Sequence, residues 1–147
     1  ITPVVGESML PTLHEGDVML IRDIGYTDPQ PGDIVVLTKE FDAARGPIVK
    51  RIIAVEGQTV DIDYQTGTVY VDGEALDEPY LNEPMEEPWY EDLTSVTVPE
   101  GSVFVMGDNR NHSSDSRDVT LGTVDTRYLL GKAEFICFPF SDFGRIG

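Results

Sequence analysis

The sequence predicts an all-β protein, mainly antiparallel sheets that form a partly closed barrel, with a small variable inserted segment. Helical periodicity of apolar residues is nearly absent along the 147-residue chain. Short apolar or alternating runs bounded by Gly, Pro, Asp and Asn recur about every ten residues instead, which is typical of β-strands. The chain is long enough to bury a substantial core as one domain. The predicted strands are "DVMLIRDI", "GDIVVLTK", "PIVKRIIAVEG", "TVDIDY", "TVYVDG", "SVTVPEGSVFVMGD" and "GKAEFICFPF".

Turn signals connect several of these strands. The stretch "TVDIDYQTGTVYVDG" predicts a β-hairpin that turns at Gln65-Thr66-Gly67, and a second turn is expected at Asp72-Gly73. A helical turn is predicted to start near Thr126 and to stop at Gly131.

The composition of the chain changes in its middle third. Residues 59–102 are acidic and rich in proline, so we interpret them as an inserted β segment or cap. Residues 1–58 and 103–147 then form the core that would carry the chemistry.

Charge excludes one class of partner. The chain has 10 Lys and Arg against 27 Asp and Glu, a net charge of −17, which argues against binding to nucleic acid. No basic residue lies between Arg51 and Arg110, and we interpret the carboxylates of the inserted segment as a solubilising face that also repels anionic lipid.

Other compositional signals are weak. Cys137 is the single cysteine and lies in an apolar run, so no intrachain disulfide can form and a core position is expected. No stretch approaches the roughly 20 apolar residues of a membrane-spanning helix. Because the chain starts at Ile1 without an initiator Met, we expect a missing upstream segment, such as an anchor.

The strand "PIVKRIIAVEG" contains two cations in an apolar setting. Side chains alternate along a strand, so Lys50 shares one apolar face with Ile52, and Arg51 shares the other with Ile53. Buried cations are rare unless they are paired or neutralised. For Arg51, which stays charged, we expect a buried ion pair with a carboxylate.

Lys50 has a second interpretation besides a paired or snorkelling lysine. An ordinary lysine is neutral in only about one molecule in 2,500 at pH 7, but burial can lower its pKa by several units. A neutral amine can act as a general base toward a serine hydroxyl. Ser8 is a candidate nucleophile, because Gly6 allows an unusual backbone before it and apolar Met9 and Leu13 could wall a dry pocket beside it.

The polar stretch "MGDNRNHSSDSRD" follows an apolar strand and must hydrogen-bond extensively if it packs against a core. Two alternatives attach to it. One is a calcium loop, which the arginine near its start disfavours. The other is a catalytic triad of Ser8, His112 or His14, and Asp115.

Four separated stretches together resemble one family. The stretches "SMLPTL", "GDIVV", "VKRIIAVEG" and "GDNRNHSSDSR" are similar, in order, to the sequence boxes of bacterial type I signal peptidases, and "LGKAEF" with "FPF" resembles that family's ending. The resemblance implies an all-β serine protease that uses a Ser-Lys dyad and no cofactor or metal. It also implies lysine, not histidine, as the base.

The resemblance assigns roles to individual positions. Ser8 matches the nucleophile, Lys50 the general base, and Ser113 the serine that orients the lysine amine. Two supporting ion pairs are implied, Arg51 with Asp108 and Asp115 with Arg117.

The substrate site is also implied by the family. Members bind small side chains, typically alanine, at the first and third positions before the cut. The matching wall candidates are Val4, Met9, Leu13 and Val49. The backbone N–H of Ser8 would donate to the oxyanion, and Gly6 replaces a serine that contributes a hydroxyl in some relatives.

The resemblance also implies a setting and partners: exported preproteins as substrates, and the outer side of the cytoplasmic membrane, reached through an N-terminal anchor that we expect to be missing from this chain. Two alternatives stay open. One is a self-cleaving repressor with a Ser-Lys dyad, although no basic recognition helix is visible. The other is a non-catalytic acidic cell-surface domain that binds a partner.

Overall fold

The computed structural model describes residues 1–23, 25–39, 46–81, 83–86 and 93–146. None of the helices in these ranges is long and apolar enough to span a membrane. In chain order the strands are β1 (Thr2–Pro3), β2 (Val18–Arg22), β3 (Ile34–Leu37), β4 (Ile48–Val55), β5 (Thr59–Asp63), β6 (Thr68–Val71), β7 (Glu74–Ala75), β8 (Ser95–Thr97), β9 (Ser102–Met106), β10 (Val124–Asp125), β11 (Leu129–Phe138) and β12 (Gly144–Arg145). Short 3₁₀ turns cover Arg110–His112, Thr126–Tyr128 and Phe140–Asp142.

The strands form two antiparallel sheets. The larger sheet has eight strands in the order β1-β2-β11-β3-β4-β9-β10, and β12 pairs with β11. The ten-residue β11 pairs with β2, β3 and β12, and its register shifts against β2 and β3. Such bulges bend a strand and increase its twist, so they curl the sheet into a half-barrel. The predicted all-β fold is confirmed.

The smaller sheet has four strands in the order β7-β6-β5-β8. It contains the predicted hairpin, in which β5 and β6 pair from Val60 with Val71 to Asp63 with Thr68. All four strands lie between residues 59 and 97, within the predicted inserted segment.

Three hydrophobic clusters hold the sheets. One lies under the N-terminal loop, on one face of the large sheet. A second lies on the opposite face, around β3, β4, β9 and β10. The third lies between the small sheet and the ends of β4 and β9. β4 contributes to every cluster, through Val49, Ile52 and Ile53.

The predicted alternation along β4 is wrong beyond Ile52. The register against β9 shifts between Ile52 and Ala54, so one extra residue lies in β4. Ile48, Ile52 and Val55 therefore share a cluster, whereas Ala54 packs with Ile53 against the small sheet.

Three other local predictions need correction. The run "SVTVPEGSVFVMGD" is two strands in different sheets, because a turn closed by Ser102 N–H on Pro99 O separates them. The helical turn starts at Thr126 as expected but gives way to β11 at Leu129, before Gly131. Cys137 is half-buried rather than in the core.

Candidate active site

The loop that carries Ser8 joins β1 to β2 and is held from below. Met9 is 2% exposed and Leu13 is fully buried, and both pack into the cluster on the large sheet. Two turns fold the chain around the serine. In one, Leu10 N–H donates to Glu7 O at 3.1 Å, and in the other Leu13 N–H donates to Met9 O at 3.0 Å. Ser8 itself is half-buried.

The predicted wall residues belong to one cluster. Val4, Met9 and Leu13 are buried there, and half-buried Val49 packs against it. In this structure they support the loop from beneath, so their contact with substrate side chains stays a prediction. Gly6 has φ of +82°, a conformation that favours glycine, and this accounts for the absence of a side chain at that position.

Backbone contacts join the Ser8 loop to the polar loop after β9. Asn109 N–H donates to Ser8 O at 2.9 Å, and Asn109 Nδ2 donates to Glu7 O at 3.0 Å. At Gly107, a Cβ would lie 2.5 Å from Ser8 O and 2.2 Å from Ser113 Oγ. Only a glycine leaves room at this position for both Ser8 O and Ser113 Oγ. Sequence reasoning assigned no role to Gly107 or Asn109.

Ser113 is fixed by a buried carboxylate. Its hydroxyl donates to Asp115 Oδ2 at 2.7 Å, and Gly107 N–H donates to the same oxygen at 2.9 Å. Arg117 holds Asp115 through Nε at 2.9 Å and Nη2 at 3.0 Å. Burial alone would raise the pKa of Asp115, but Arg117, Lys50 and the Gly107 N–H together lower it. Asp115 is therefore charged and engaged from several directions.

Lys50 lies in the middle of the large sheet, on β4 opposite Val35 of β3. Lys50 is 3% exposed, and this burial lowers the pKa of its amine from 10.5 to about 8. The charge of Arg117 lowers the pKa further, whereas Asp115 and Asp108 raise it. With a pKa near 8, roughly one molecule in ten carries a neutral amine at pH 7.

Arg51 pairs with Asp108, as its position in an apolar strand suggested. Arg51 Nε and Nη2 donate to Asp108 Oδ1 and Oδ2, each at 2.8 Å, and Asp108 is fully buried. Thr12 Oγ1 donates to the same carboxylate at 2.5 Å. Asp108 thus ties β4, the Ser8 loop and the polar loop together, and Thr12 is a member that sequence reasoning missed.

The histidine and calcium alternatives find no support in this geometry. The side chains of His14 and His112 are 55% and 62% exposed. The oxygens of Asp115 are occupied by Ser113, Gly107 and Arg117, and neither histidine is among these partners. Since Asp108 and Asp115 are each paired with an arginine, they do not form a calcium ligand set.

A family model described as signal peptidase, peptidase S26, matches residues 2–138. The chain belongs to this family. It is 40% identical to a protein named probable signal peptidase I-1 from Synechocystis sp., over 98% of this chain and 74% of that one. It is 38% identical to signal peptidase I of Bacillus licheniformis, over 95% of this chain and 76% of the relative.

A solved structure agrees with the family membership. A crystal structure of a signal peptidase I from Enterococcus faecalis V583 matches with a TM-score of 0.56 and 32% identity, over 72% of this chain and 97% of that chain. The predicted family, fold class and enzymatic activity are therefore confirmed. The chain is a signal peptidase I protease, which removes signal peptides from preproteins, and neither the repressor nor the non-catalytic alternative fits this membership.

Proposed function

We propose that this signal peptidase cleaves its substrates with Ser8 as nucleophile and Lys50 as general base. The observation that carries the proposal is the burial of Lys50, with a pKa lowered to about 8, near the charged side chains of the polar loop that carries Ser113. The charges of Asp115 and Asp108 raise the pKa of Lys50, so these two loop carboxylates act electrostatically on the amine. The same loop touches the backbone of Ser8 through Gly107 and Asn109.

Ser113 fits the role of an orienting group for chemical reasons. A serine hydroxyl has one proton, and Ser113 donates it to Asp115. Toward the lysine amine its oxygen can then only accept a hydrogen bond. An N–H of Lys50 directed at Ser113 would leave the lone pair of the neutral amine free for the Ser8 hydroxyl.

The reaction then follows in two halves. Lys50 takes the hydroxyl proton as Ser8 Oγ bonds to the scissile carbonyl carbon, and the carbonyl electron pair moves to the oxygen. The backbone N–H of Ser8 stabilises that oxyanion. As the C–N bond breaks, protonated Lys50 gives its proton to the departing amine. Lys50 next takes a proton from water, whose oxygen attacks the acyl-enzyme, and returns that proton to Ser8.

We propose that substrates carry small side chains at the first and third positions before the cut. Val4, Met9, Leu13 and Val49 would line those subsites and also exclude water from Lys50. Exported preproteins are the expected substrates, and the expected location is the outer side of the cytoplasmic membrane, because signal peptidase I enzymes are membrane-associated with an extracytoplasmic catalytic domain.

The decisive experiment follows cleavage of a preprotein with an Ala-X-Ala site against pH, in detergent or lipid. We expect Ser8→Ala and Lys50→Met to stay folded and to lose at least about a thousandfold in kcat/KM. Parent activity should rise with pH through about 8, as Lys50 loses its proton. A Lys50→Met variant that keeps its rate would show that the dyad is wrong.

A further inference from the structure

Residues 78–81 and 83–86 of the inserted segment lie against the loop that supports the proposed active site. Arg110, which is buried, and half-buried Asn111 contact it from the loop, and Arg51 contacts it from β4. From sequence alone this acidic stretch suggested only a solubilising face. Its contacts indicate an additional role.

Glu78 contacts the loop through Arg110. Arg110 Nη2 lies 2.6 Å from Glu78 Oε2, an ion pair without the alignment of a hydrogen bond, and the two side chains are 0% and 7% exposed. Arg110 Nε donates to Gly107 O at 2.8 Å. Gly107 is the residue that touches Ser8 O and Ser113. One arginine thus connects the carboxylate of Glu78 to the backbone between the two serines.

Tyr80, two residues later, contacts a second buried arginine, Arg51. The guanidinium carbon of Arg51 lies 3.9 Å from the centre of the Tyr80 ring, a cation–π distance. Arg51 adjoins Lys50 in β4 and forms the bidentate pair with Asp108. Tyr80 therefore covers the side of Arg51 that the carboxylate does not hold.

Further hydrogen bonds continue the contact along the same stretch. Asn111 Nδ2 donates to Pro84 O at 3.0 Å and to Glu83 Oε1 at 3.1 Å, and Glu86 N–H donates to Asn111 Oδ1 at 2.7 Å. Because Asn111 lies in the 3₁₀ turn of the loop, the inserted segment follows the loop over several residues.

We propose that Glu78 and Tyr80 are positioning residues of the peptidase: through Arg110 and Arg51 they hold the 107–113 loop and β4 in the arrangement that sets Ser8, Lys50 and Ser113 for reaction. This inference rests on the proposed function. Neither residue need touch the substrate.

Release of Arg110 from Glu78 would change the protonation of Lys50. The charged groups acting on Lys50 are Asp108, Asp115 and Arg117, and burial of Lys50 outweighs them. If Glu78 no longer holds Arg110, the loop relaxes and water reaches Lys50. The cationic form is then favoured, and the pKa of Lys50 rises above about 8 toward its ordinary value.

The test uses the 147-residue chain and the same preprotein assay. The variants are Glu78→Gln, Tyr80→Leu and Tyr80→Phe. Asp77→Asn is the matched control, because Asp77 is an exposed carboxylate next to Glu78 in sequence. For each variant kcat and KM are measured separately across pH, and unfolding is followed by circular dichroism.

We expect Glu78→Gln and Tyr80→Leu to lower kcat about tenfold to a hundredfold with little change in KM. The midpoint of the pH profile should move to higher pH. Tyr80→Phe, which keeps the ring, should restore most of the kcat lost in Tyr80→Leu, and Asp77→Asn should match the parent.

The inference fails if folded Glu78→Gln and Tyr80→Leu share the kcat and pH midpoint of Asp77→Asn. If Tyr80→Leu does not fold, the near-isosteric Glu78→Gln decides alone. Failure of the proposed function looks different. In that case Ser8→Ala or Lys50→Met would retain activity, whereas failure of the inference alone leaves both inactive.

Discussion

Lys50 is buried at a cost to the stability of the folded state. Its pKa falls from 10.5 to about 8 on folding, mainly because burial disfavours the charged amine. At pH below about 8 the lysine is protonated in both the folded and unfolded states, and the shift corresponds to about 3 kcal/mol lost from the free energy of unfolding. Between about 8 and 10.5 the unfolded state binds more protons, so this loss is recovered as pH rises.

We therefore predict that Lys50→Met inactivates the enzyme and stabilises it. At pH 7 the free energy of unfolding should rise by up to about 3 kcal/mol, since methionine has no charge to desolvate. The gain should shrink between pH 8 and 10.5. Urea unfolding across pH measures it.

Lys132→Met is the control for this prediction. Lys132 is 31% exposed and its Nζ lies 3.4 Å from Asp33, so its replacement should bring no such gain. A Lys50→Met protein that is less stable than the parent at pH 7 would contradict the account of Lys50 as a desolvated amine.

Gly107 permits a second prediction at the scale of one residue. A Cβ there would lie 2.5 Å from a backbone oxygen and 2.2 Å from Ser113 Oγ, so Gly107→Ala must displace one of the two serines. We expect kcat/KM to fall at least about a hundredfold, with about 1–3 kcal/mol of destabilisation.

Gly57→Ala is the control that separates backbone strain from displacement of the two serines. Gly57 has φ of +84° and no atom within 4 Å of a Cβ, so alanine there should destabilise by about 1–2 kcal/mol and leave kcat/KM unchanged. If Gly107→Ala behaves in the same way, the approach of the two serines through Gly107 does not matter for catalysis.

At the scale of elements, one local pattern occurs in two environments. Asp115 and Arg117 are two residues apart and fully buried, whereas Asp125 and Arg127, with the same spacing, have side chains 36% and 86% exposed. Removing one partner of a buried pair leaves an uncompensated charge, but exposed pairs are screened by water.

We predict that Arg117→Met lowers the free energy of unfolding by about 3–5 kcal/mol. Arg127→Met should have little effect. Since Arg117 lowers the pKa of Lys50, its loss should also move the pH profile of cleavage upward. Urea unfolding and the cleavage assay check the two parts, and equal stabilities of the two variants would refute the first.

Sequence patterns predicted the strands because apolar residues must alternate on a sheet, and they singled out Lys50 and Arg51 because cations are rare in such a strand. The bulge after Ile52 was not predictable, since it depends on the register against β9. The partner of Arg110 was equally out of reach. That partner is the carboxylate of Glu78, which is one of 27 acidic residues in the chain and follows β7 of the small sheet.

For the whole molecule, the net charge of −17 is spread over a chain with few lysines. In the part of the chain that the structure describes, Lys50 is buried, Lys39 donates to Leu121 O and Thr123 O, and Lys132 lies beside Asp33. Exposed Arg22 and Arg127 pair with one carboxylate each, so the carboxylates outnumber the cations and repel one another, which destabilises the compact state at low ionic strength.

We predict that Tm rises by several degrees between 0.05 M and 1 M NaCl, because salt shortens the screening length from about 14 Å to about 3 Å. Sucrose at matched osmolality is the control for effects that do not depend on charge. A Tm that is insensitive to NaCl, or that responds equally to sucrose, would show that self-repulsion is unimportant.

β4 is paired on both sides, by β3 and β9, and contributes to all three clusters. The loop that carries Ser8 is held by turns, by the packing of Met9 and Leu13 in one cluster, and by a few hydrogen bonds to the polar loop, rather than by strand pairing. The proposed dyad therefore joins a slowly exchanging strand to a segment that can open locally. Mild denaturant would separate Ser8 from Lys50 while the sheet stays paired, so cleavage would cease before the protein unfolds.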